Sequence, residues 1–304
     1  MKPTASQRSV SPQRRFSRRD FLKVSAILGF DTLLLGIAGF GYITRIEPTW
    51  VDVRHVSLRL PRLPRAFSGW RMAQLSDIHI GPWMTLQRVR ELFEMAVSET
   101  PDALALTGDF VLTYGWRNLS YQDELGELAG LLAEYTRRMP VFAVLGNHDH
   151  WYNAAQVRGA LEAGGVQVLS NAVSVLERGD ARFYVAGIDD AYEGKDNLDA
   201  VLSQLPPQAG AILLSHVPDF ADRSAATGRF DLQMSGHSHG GQVVLPFVGP
   251  PVLPKWGQKY VSGLYRVEGM FQYTNRGVGM TFPAVRFNCR PEITVFTLES
   301  GETD

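Results

Sequence analysis

The chain has 304 residues, of which 45% are hydrophobic and 20% are charged, enough to bury one large core or at most two small ones. Its formal net charge of −1 is unevenly distributed, because seven basic residues face one acidic residue within residues 1–23, so this segment carries +6 and the remainder carries −7. A body of that sign argues against duplex nucleic acid as a partner, and the single cysteine, Cys289, excludes an intramolecular disulfide and cysteine-rich zinc modules.

The first predicted element is an export or anchoring segment. Ser17–Lys23 reads Ser-Arg-Arg-Asp-Phe-Leu-Lys and runs directly into a glycine-rich apolar stretch, Val24–Ile43. Paired arginines before a weakly hydrophobic stretch resemble a bacterial twin-arginine export signal, which implies the twin-arginine translocase as a partner. About 20 apolar residues also suffice to span a bilayer, although Asp31 near the middle would cost roughly 2.5–3.5 kcal/mol on insertion scales.

We therefore expect residues 1–45 to be a twin-arginine signal or a membrane anchor. The alternative is an ordinary membrane anchor or Sec-type signal. Residues 46–304 form the predicted main domain, which we expect outside the cytoplasm or anchored to the outer side of the cytoplasmic membrane.

The body of the chain begins with an edge strand and continues as βαβ units. Alternation of apolar and polar residues over Val51–Leu60, flanked by prolines, predicts an exposed edge strand. Apolar runs then alternate with stretches of helical periodicity, which predicts a largely parallel sheet. The predicted strands are Arg71–Leu75, Ala103–Leu106 and Val141–Leu145, and the predicted helices cover Leu86–Val97, Leu125–Tyr135 and Asn153–Ala163.

After Val166 the pattern changes to shorter strands, which predicts a second sheet. Together the two groups of strands predict an α/β protein with four layers, an α/β/β/α sandwich of two mixed sheets flanked by helices. The later predicted strands are Ala172–Leu176, Phe183–Ala186, Ala211–Leu214, Leu232–Met234, Val243–Leu245, Tyr260–Val267, Phe271–Thr274 and Ile293–Leu298.

Five polar clusters follow the C-terminal ends of predicted strands, where open α/β sheets bind their ligands. An Asp-x-His or Gly-Asp pair alone is weak support, because most such pairs are solvated turns. Here the clusters contain five of the seven histidines, which core packing does not explain, and we assign the other two, His55 and His150, no functional role. The clusters are Ser76-Asp77-Ile78-His79, Thr107-Gly108-Asp109, Gly146-Asn147-His148-Asp149, Ser215-His216 and Gly236-His237-Ser238-His239-Gly240.

The residue types in these clusters suit two divalent metal ions. Imidazole, carboxylate and amide ligands favour Mn, Fe or Zn, and two ions about 3.5–4 Å apart can hold both the attacking and the leaving oxygen of a phosphate. One carboxylate has to bridge the ions. Asp109 is the natural candidate, because Gly108 lets the backbone turn sharply beside it.

The ordered set Asp-x-His, Gly-Asp, Gly-Asn-His-Asp, His and Gly-His-x-His resembles the complete signature of the calcineurin-like metallophosphoesterases, and it extends from Asp77 to His239. The resemblance implies a phosphodiesterase that uses a metal-bridging hydroxide. It also implies that His148 contacts the phosphate and protonates the leaving oxygen while Asp149 orients His148. The implied ligands are Asp77, His79, Asp109 and His239 for one ion, and Asp109, Asn147, His216 and His237 for the other.

With its twin-arginine head and this domain together, the chain resembles the membrane-associated bacterial phosphodiesterases of this family more than its cytosolic nucleotidases or protein phosphatases. The apolar, proline-rich segment Pro246–Trp256 can be either a cover over the sheet edge or a wall that accepts acyl chains or touches a membrane. Trp83, Tyr114 and Trp116 each follow a metal motif and could add aromatic side chains to the same cleft.

These features lead us to expect a small phosphate ester, a nucleotide, or a lipid-linked phosphodiester or pyrophosphate as substrate. UDP-2,3-diacylglucosamine pyrophosphatases of lipid A biosynthesis have a similar layout, although that substrate is reached from the cytoplasm. Cleavage of that substrate would therefore require the N-terminal segment to be an anchor that holds the catalytic domain on the cytoplasmic side of the membrane.

Two other classes of protein are possible on the sequence. A non-catalytic metal-binding module would keep the ligands, but it would not need His148 or Asp149. A zinc amidase or a β-lactamase-type hydrolase would need a His-x-His-x-Asp-His cluster, which this sequence lacks.

Overall fold

The structure is a computed structural model that describes residues 18–113 and 120–301. The chain divides into two units between Tyr42 and Ile43. This division lies three residues before the predicted end of the N-terminal segment at residue 45.

The N-terminal unit contains one long helix, α1 (Arg18–Gly41), which is followed by a π-helical turn at Tyr42–Ile46. Among the described residues, one helical segment, Phe21–Thr49, has the length and apolar composition needed to cross a membrane. A helix of this kind near the N-terminus can serve as a signal or as an anchor.

The first sheet of the C-terminal unit is built from six strands, β1 (Asp52–Leu60), β2 (Trp70–Leu75), β3 (Ala103–Thr107), β4 (Val141–Val144), β5 (Gln167–Val168) and β12 (Glu292–Ser300). Their order in the sheet is β1-β12-β2-β3-β4-β5. All neighbouring pairs are parallel except β12 with β2, so the sheet is mixed. The predicted edge position of β1 is confirmed.

The second sheet is built from β6 (Ala172–Arg178), β7 (Ala181–Gly187), β8 (Ala211–Leu214), β9 (Leu232–Ser235), β10 (Gly263–Val267) and β11 (Met270–Thr274). Their order is β10-β11-β9-β8-β7-β6. The four central strands are parallel, and an antiparallel hairpin closes each edge.

Helices cover the outer faces of both sheets. They are α2 (Leu86–Ser98), α3 (Gln122–Thr136), α4 (Asn147–Tyr152), α5 (Ala154–Ala163), α6 (Leu198–Gln204) and α7 (Ala221–Ala226). One buried cluster fills the space between the sheets, with Phe142 and Phe296 from the first sheet and Phe183 from the second. A second cluster packs α2, α3 and α5 on the first sheet, and a third packs α6 and α7 on the second. The predicted four-layer α/β/β/α sandwich is confirmed.

The predicted strand Val243–Leu245 is wrong. Only isolated bridges occur there, from Val243 to Phe287 and from Leu245 to Gly249. Pro246 follows immediately and cannot donate to a ladder, and Phe247 has a left-handed backbone with φ 65°, so the chain turns back instead of continuing as a strand.

Candidate metal centre

The loops that leave the C-terminal ends of strands in both sheets converge on one site. The first sheet contributes the loops after β2, β3 and β4, and the second contributes the loops after β8 and β9. All seven predicted ligands are buried in these loops. They are Asp77, His79, Asp109 and Asn147 from the first sheet, and His216, His237 and His239 from the second.

Most of these residues have a backbone conformation that ordinary residues avoid. The φ angle is 52° at Asp77, His79 and His239, 58° at Asp109 and 67° at His237. Such left-handed positions cost about 1–3 kcal/mol each, and they persist only where surrounding contacts fix them. Strain of this kind is concentrated at functional sites, and here it is found at five of the seven candidate ligands.

Two glycines of the motifs are required by close approach of other groups. A Cβ on Gly146 would lie 2.2 Å from Oδ1 of Asp109, and a Cβ on Gly236 would lie 1.9 Å from Oγ of Ser76 and 2.3 Å from Oδ2 of Asp77. These neighbours have little room to move aside, because the two carboxylates belong to the site and the buried hydroxyl of Ser76 donates to the carbonyl oxygen of Thr107.

A first cluster of potential ligand atoms joins the loops after β2, β3 and β9. Nε2 of His79 lies 3.1 Å from Nε2 of His239 and 3.6 Å from Oδ2 of Asp109. Nε2 of His239 lies 3.4 Å from Oδ1 of Asp77. Two nitrogens and two carboxylate oxygens therefore face a common point, and Asp77, His79 and His239 form a geometrically plausible metal group.

A second cluster shares one residue with the first. Oδ2 of Asp109 lies 3.2 Å from Nε2 of His216, and that nitrogen lies 3.2 Å from Nδ1 of His237. These three residues form another candidate metal group. The same oxygen of Asp109 thus borders both clusters, as a bridging carboxylate would.

Backbone carbonyls orient three of the imidazoles. A carbonyl only accepts hydrogen bonds, so the ring nitrogen beside it carries a proton and the other nitrogen is the one that can offer a lone pair to a metal ion. In each ring the nitrogen with the lone pair is the one in the cluster, which is the usual arrangement of metal-binding histidines. The pairs are Nδ1 of His79 with Val111 at 3.4 Å, Nδ1 of His216 with Thr107 at 2.8 Å and Nε2 of His237 with Lys255 at 2.8 Å.

Burial and mutual charge perturb the ionisation of these groups. Burial raises the pKa of Asp77 to about 7, and burial with nearby imidazoles lowers the pKa of His79 and of His237 to about 3. Burial alone would lower the pKa of His216, but Asp109 outweighs it and raises that pKa to about 10. Burial would likewise raise the pKa of Asp109, yet His216 and other imidazoles hold it well below its usual value.

The donors fit divalent metal ions. Oδ1 of Asn147 is buried and has no hydrogen-bond partner among the described residues, a costly state that a bound cation would relieve. Imidazole nitrogens, two carboxylates and one amide oxygen are ligands that Mn, Fe and Zn accept. The structure brings six of the seven predicted ligands into the two clusters, and Asn147 lines the same cleft.

His148 lies at the same site, where Thr113 contacts its Nδ1. Nδ1 of His148 accepts the backbone N–H of Thr113 at 3.1 Å, so the neutral ring holds its proton on Nε2. The hydroxyl of Thr113 lies 2.8 Å from the same nitrogen. Burial also lowers the pKa of His148, which favours the neutral ring.

Asp149 does not contact His148 in the way the resemblance implied. Its carboxylate instead accepts the backbone N–H groups of Asp109 at 2.9 Å, Phe110 at 2.8 Å, Val111 at 3.3 Å and Gly146 at 2.9 Å. Burial and the charge of Asp109 raise its pKa to about 7, while the N–H groups of Gly146 and Phe110 oppose that rise. Asp149 therefore ties the loop after β3 to the loop after β4, and Thr113 orients His148.

A cleft of about 560 Å³ opens beside the ligand cluster. One part of its wall is aromatic and basic, with Trp151, Tyr192 and Lys255. Nζ of Lys255 lies 6.0 Å from the ring centre of Tyr192, and that ring is 5.7 Å from His237. The other part is apolar and consists of Val243, Pro251, Val252, Pro254, Phe282 and Pro283.

Of the three aromatic side chains singled out by sequence, the one that the structure describes, Trp83, does not line the cleft. Trp83 packs against the core of the first sheet and under the guanidinium of Arg88, 4.3 Å from its ring centre. Tyr114 and Trp116 lie outside the described residues. Trp151 follows the Gly-Asn-His-Asp motif directly and could have been found by that position, whereas nothing local marks Tyr192 or Thr113.

The two histidines assigned no role lie outside the ligand cluster. His55 is exposed on β1 and contacts Glu99 at 2.8 Å. His150 is paired with Asp189 at 2.9 Å, and this carboxylate raises its pKa.

Residues 71–241 match the family model described as calcineurin-like phosphoesterase. That range extends from β2 to the turn after the last histidine, so it contains every residue of the ligand cluster. It covers more than half of the chain.

Relatives of similar length extend the likeness over nearly the whole chain. The uncharacterized metallophosphoesterase YkuE of Bacillus subtilis is 33% identical over 290 residues, covering 94% of this chain and 99% of that protein. Phosphodiesterase YaeI of Escherichia coli is 31% identical and covers 93% and 99%. A longer relative, a transmembrane protein with metallophosphoesterase domain from Danio rerio, is 30% identical, covering 87% of this chain and 61% of that protein.

Proposed function

Because this chain belongs to the calcineurin-like phosphoesterases and is a metal-dependent phosphoester hydrolase, we propose that it is a dinuclear phosphodiesterase that cleaves a phosphodiester or pyrophosphate bond. Its proposed substrate is a lipid-linked or nucleotide ester. The observation that carries the proposal is Oδ2 of Asp109, which borders both ligand clusters beside an open cleft.

Seven residues would hold the two ions, with Asp109 between them and Asn147 contributing the amide oxygen that lacks a partner. When bound, such ions supply Lewis acidity and make water nucleophilic near neutral pH. His148 would place its Nε2 proton toward a phosphate oxygen and donate a hydrogen bond to it. Thr113 keeps that tautomer by donating to Nδ1.

The walls of the cleft support a diester more than a terminal phosphate. Lys255 is the one lysine or arginine among the described lining residues, so beyond the proposed metal ions the cleft offers a phosphate a single cationic side chain, which suits the single charge of a diester better than the double charge of a monoester. The aromatic rings of Trp151 and Tyr192 offer surfaces on which a base or sugar can stack. One relative is named a phosphodiesterase, which agrees with this choice.

A second candidate is the pyrophosphate bond of UDP-2,3-diacylglucosamine. The apolar half of the cleft supports it, because Val252, Phe282 and three prolines give acyl chains an apolar surface beside the ligand cluster. This candidate requires the domain to face the cytoplasm.

For the cellular location we propose twin-arginine export, with the catalytic unit outside the cytoplasm or held at the cytoplasmic membrane. The Ser-Arg-Arg-Asp-Phe-Leu-Lys sequence and the apolar segment Phe21–Thr49 support this. Protease accessibility in intact cells tests it. Protection of the catalytic unit until the cells are opened would favour the cytoplasmic candidate.

The proposed activity is tested with the full chain in detergent and added Mn²⁺, comparing bis(p-nitrophenyl) phosphate with p-nitrophenyl phosphate. We expect metal-dependent cleavage with preference for the diester. The Asp109→Asn variant should lose it, because the shared oxygen is replaced or rotated away from one cluster.

The matched control is His55→Ala, which removes an exposed histidine of β1 and should leave turnover unchanged. Diester cleavage that survives in Asp109→Asn would contradict the dinuclear proposal. A metal-loaded protein that cleaves neither ester would move the test to UDP-2,3-diacylglucosamine, and failure there as well would favour a non-catalytic metal-binding module.

A further inference from the structure

Two loops beside the cleft expose large apolar side chains to solvent. Phe247 is fully exposed, and the exposed fractions of Val248, Val252 and Phe282 are 75%, 76% and 78%. Val252 and Phe282 also line the cleft, so the exposed patch continues into the mouth of the site. Contiguous apolar exposure of this kind marks an interaction surface.

The two loops are held together, so the patch is a built feature. The side-chain amide of Gln242 donates to the carbonyl oxygen of Pro283 at 2.8 Å and to that of Thr281 at 3.2 Å. Its oxygen accepts the backbone N–H of Thr281 at 2.9 Å. The backbone N–H of Val244 further donates to Phe287 at 2.8 Å. We name the residues Leu245, Phe247, Val248, Val252 and Phe282 the apolar rim.

The start of the catalytic unit is attached to the same loops. The carbonyl oxygen of Ile43, its first residue, accepts the backbone N–H of Arg286 at 2.9 Å. The carboxylate of Glu47 accepts the backbone N–H of Cys289 at 2.6 Å. Residue 43 lies within the segment Phe21–Thr49 that is apolar and long enough to cross a membrane. The loop Thr281–Cys289, which carries Phe282 of the apolar rim, is therefore hydrogen-bonded to the residues that directly follow the apolar helix in the sequence.

The charge of these loops suits the surface of a membrane. Gly241–Trp256 contains one charged residue, Lys255, and the one charged residue of Thr281–Cys289, Arg286, is buried. Neither segment contains a carboxylate. A carboxylate at this surface would be repelled by anionic headgroups. Aromatic and aliphatic side chains next to a basic residue are the usual composition of a surface that lies in the interfacial layer.

We infer that the apolar rim is a membrane-contact surface, which rests in the interfacial layer of the bilayer and holds the mouth of the cleft at the lipid headgroups. The surface itself does not depend on the catalytic activity. Its use, to supply a lipid-linked phosphodiester directly from the bilayer, rests on the proposed function.

The test uses the full chain reconstituted in vesicles of phosphatidylethanolamine and phosphatidylglycerol. A fluorescent label is attached to the Val248→Cys variant. The matched control is a label on Val175→Cys, because Val175 is also exposed and lies on the edge strand β6. The native Cys289 is buried, and the unsubstituted chain serves as the labelling blank. Spin-labelled lipids with the quencher near the headgroup report contact with the bilayer.

We expect loss of fluorescence at position 248 and none at position 175. Adding Phe247→Ser to the Val248→Cys variant should lower the population in contact roughly tenfold, because it removes a large apolar side chain from the interfacial layer. Cleavage of the soluble diester by the Phe247→Ser variant should remain unchanged, since Phe247 does not line the described cleft.

Two outcomes would overturn the inference. If the label at position 248 is not quenched while cleavage of the soluble diester is intact, the membrane contact is refuted and the proposed function is retained. Shielding of the label from aqueous iodide that rises with protein concentration, without quenching by the lipids, would assign the rim to a second copy of the chain. Conversely, if the lipids quench the label in a protein that cleaves no ester, the membrane-contact surface is supported and the proposed function is refuted.

Discussion

Replacing Asp149 distinguishes two possible roles of its carboxylate, which are to orient His148 or to hold the loops of the metal centre together. If Asp149 acted by orienting His148, its loss would lower turnover and leave the fold and the metal content unchanged. In the structure its carboxylate accepts four backbone N–H groups, from Asp109, Phe110, Val111 and Gly146. We therefore expect Asp149→Ala to damage the centre itself.

The magnitude follows from these four contacts. A hydrogen bond to a charged group contributes about 1.5–3 kcal/mol, and a buried donor left without a partner costs about 1–3 kcal/mol. Water that enters the space left by the carboxylate satisfies some of the donors, so the full sum is not expected. We predict a loss of about 3–5 kcal/mol in the free energy of unfolding, as for other buried charged groups whose partners are left alone.

The assay is urea unfolding of the purified protein at pH 8 with Mn²⁺, together with the number of metal ions bound per chain. Asp149→Ala should unfold at lower urea and bind less metal, and Asp149→Asn should be intermediate because it keeps one acceptor oxygen. Unchanged unfolding and full metal content in Asp149→Ala, with turnover lost, would refute this reasoning and restore the orienting role.

Gly236→Ala should abolish metal binding, because its Cβ would lie 2.3 Å from Oδ2 of Asp77; metal content by elemental analysis checks this, and a full complement would contradict it. His148→Gln should retain more turnover than His148→Ala, because an amide still donates a hydrogen bond; equal losses would indicate proton transfer instead. Chelation of the metals should lower the thermal unfolding temperature, since ions that bind only the folded state stabilise it by mass action; an unchanged melting curve would contradict this. The ion pair of His150 with Asp189 raises the pKa of the histidine, so its stabilisation is complete below the unfolded pKa of about 6.5 and is lost as pH rises through the higher folded pKa. Urea unfolding of His150→Gln against the parent chain should therefore show a larger difference at pH 6 than at pH 9, and a difference independent of pH would contradict the assignment.

The sequence by itself determined the layers, the strand ends and the set of ligand types. Long periodic segments such as α2 and short apolar runs such as β3 carry their own signal, because helices and strands bury one face at a fixed period. Short elements without that signal, such as β5 and α7, were not predicted. Val243–Leu245 was predicted as a strand because its apolar residues resemble one, and the turn at Phe247 prevented it.

What only the tertiary structure decided is which groups meet. The shared oxygen of Asp109 and the four N–H groups around Asp149 depend on loops from two sheets, and the left-handed φ angles of five ligands depend on contacts that no local propensity favours. Thr113 orients His148 from 35 residues away, and Tyr192 and Lys255 reach the cleft from separate loops. A sequence pattern records residue types and local periodicity, whereas distances between loops are fixed only when the two sheets pack against each other.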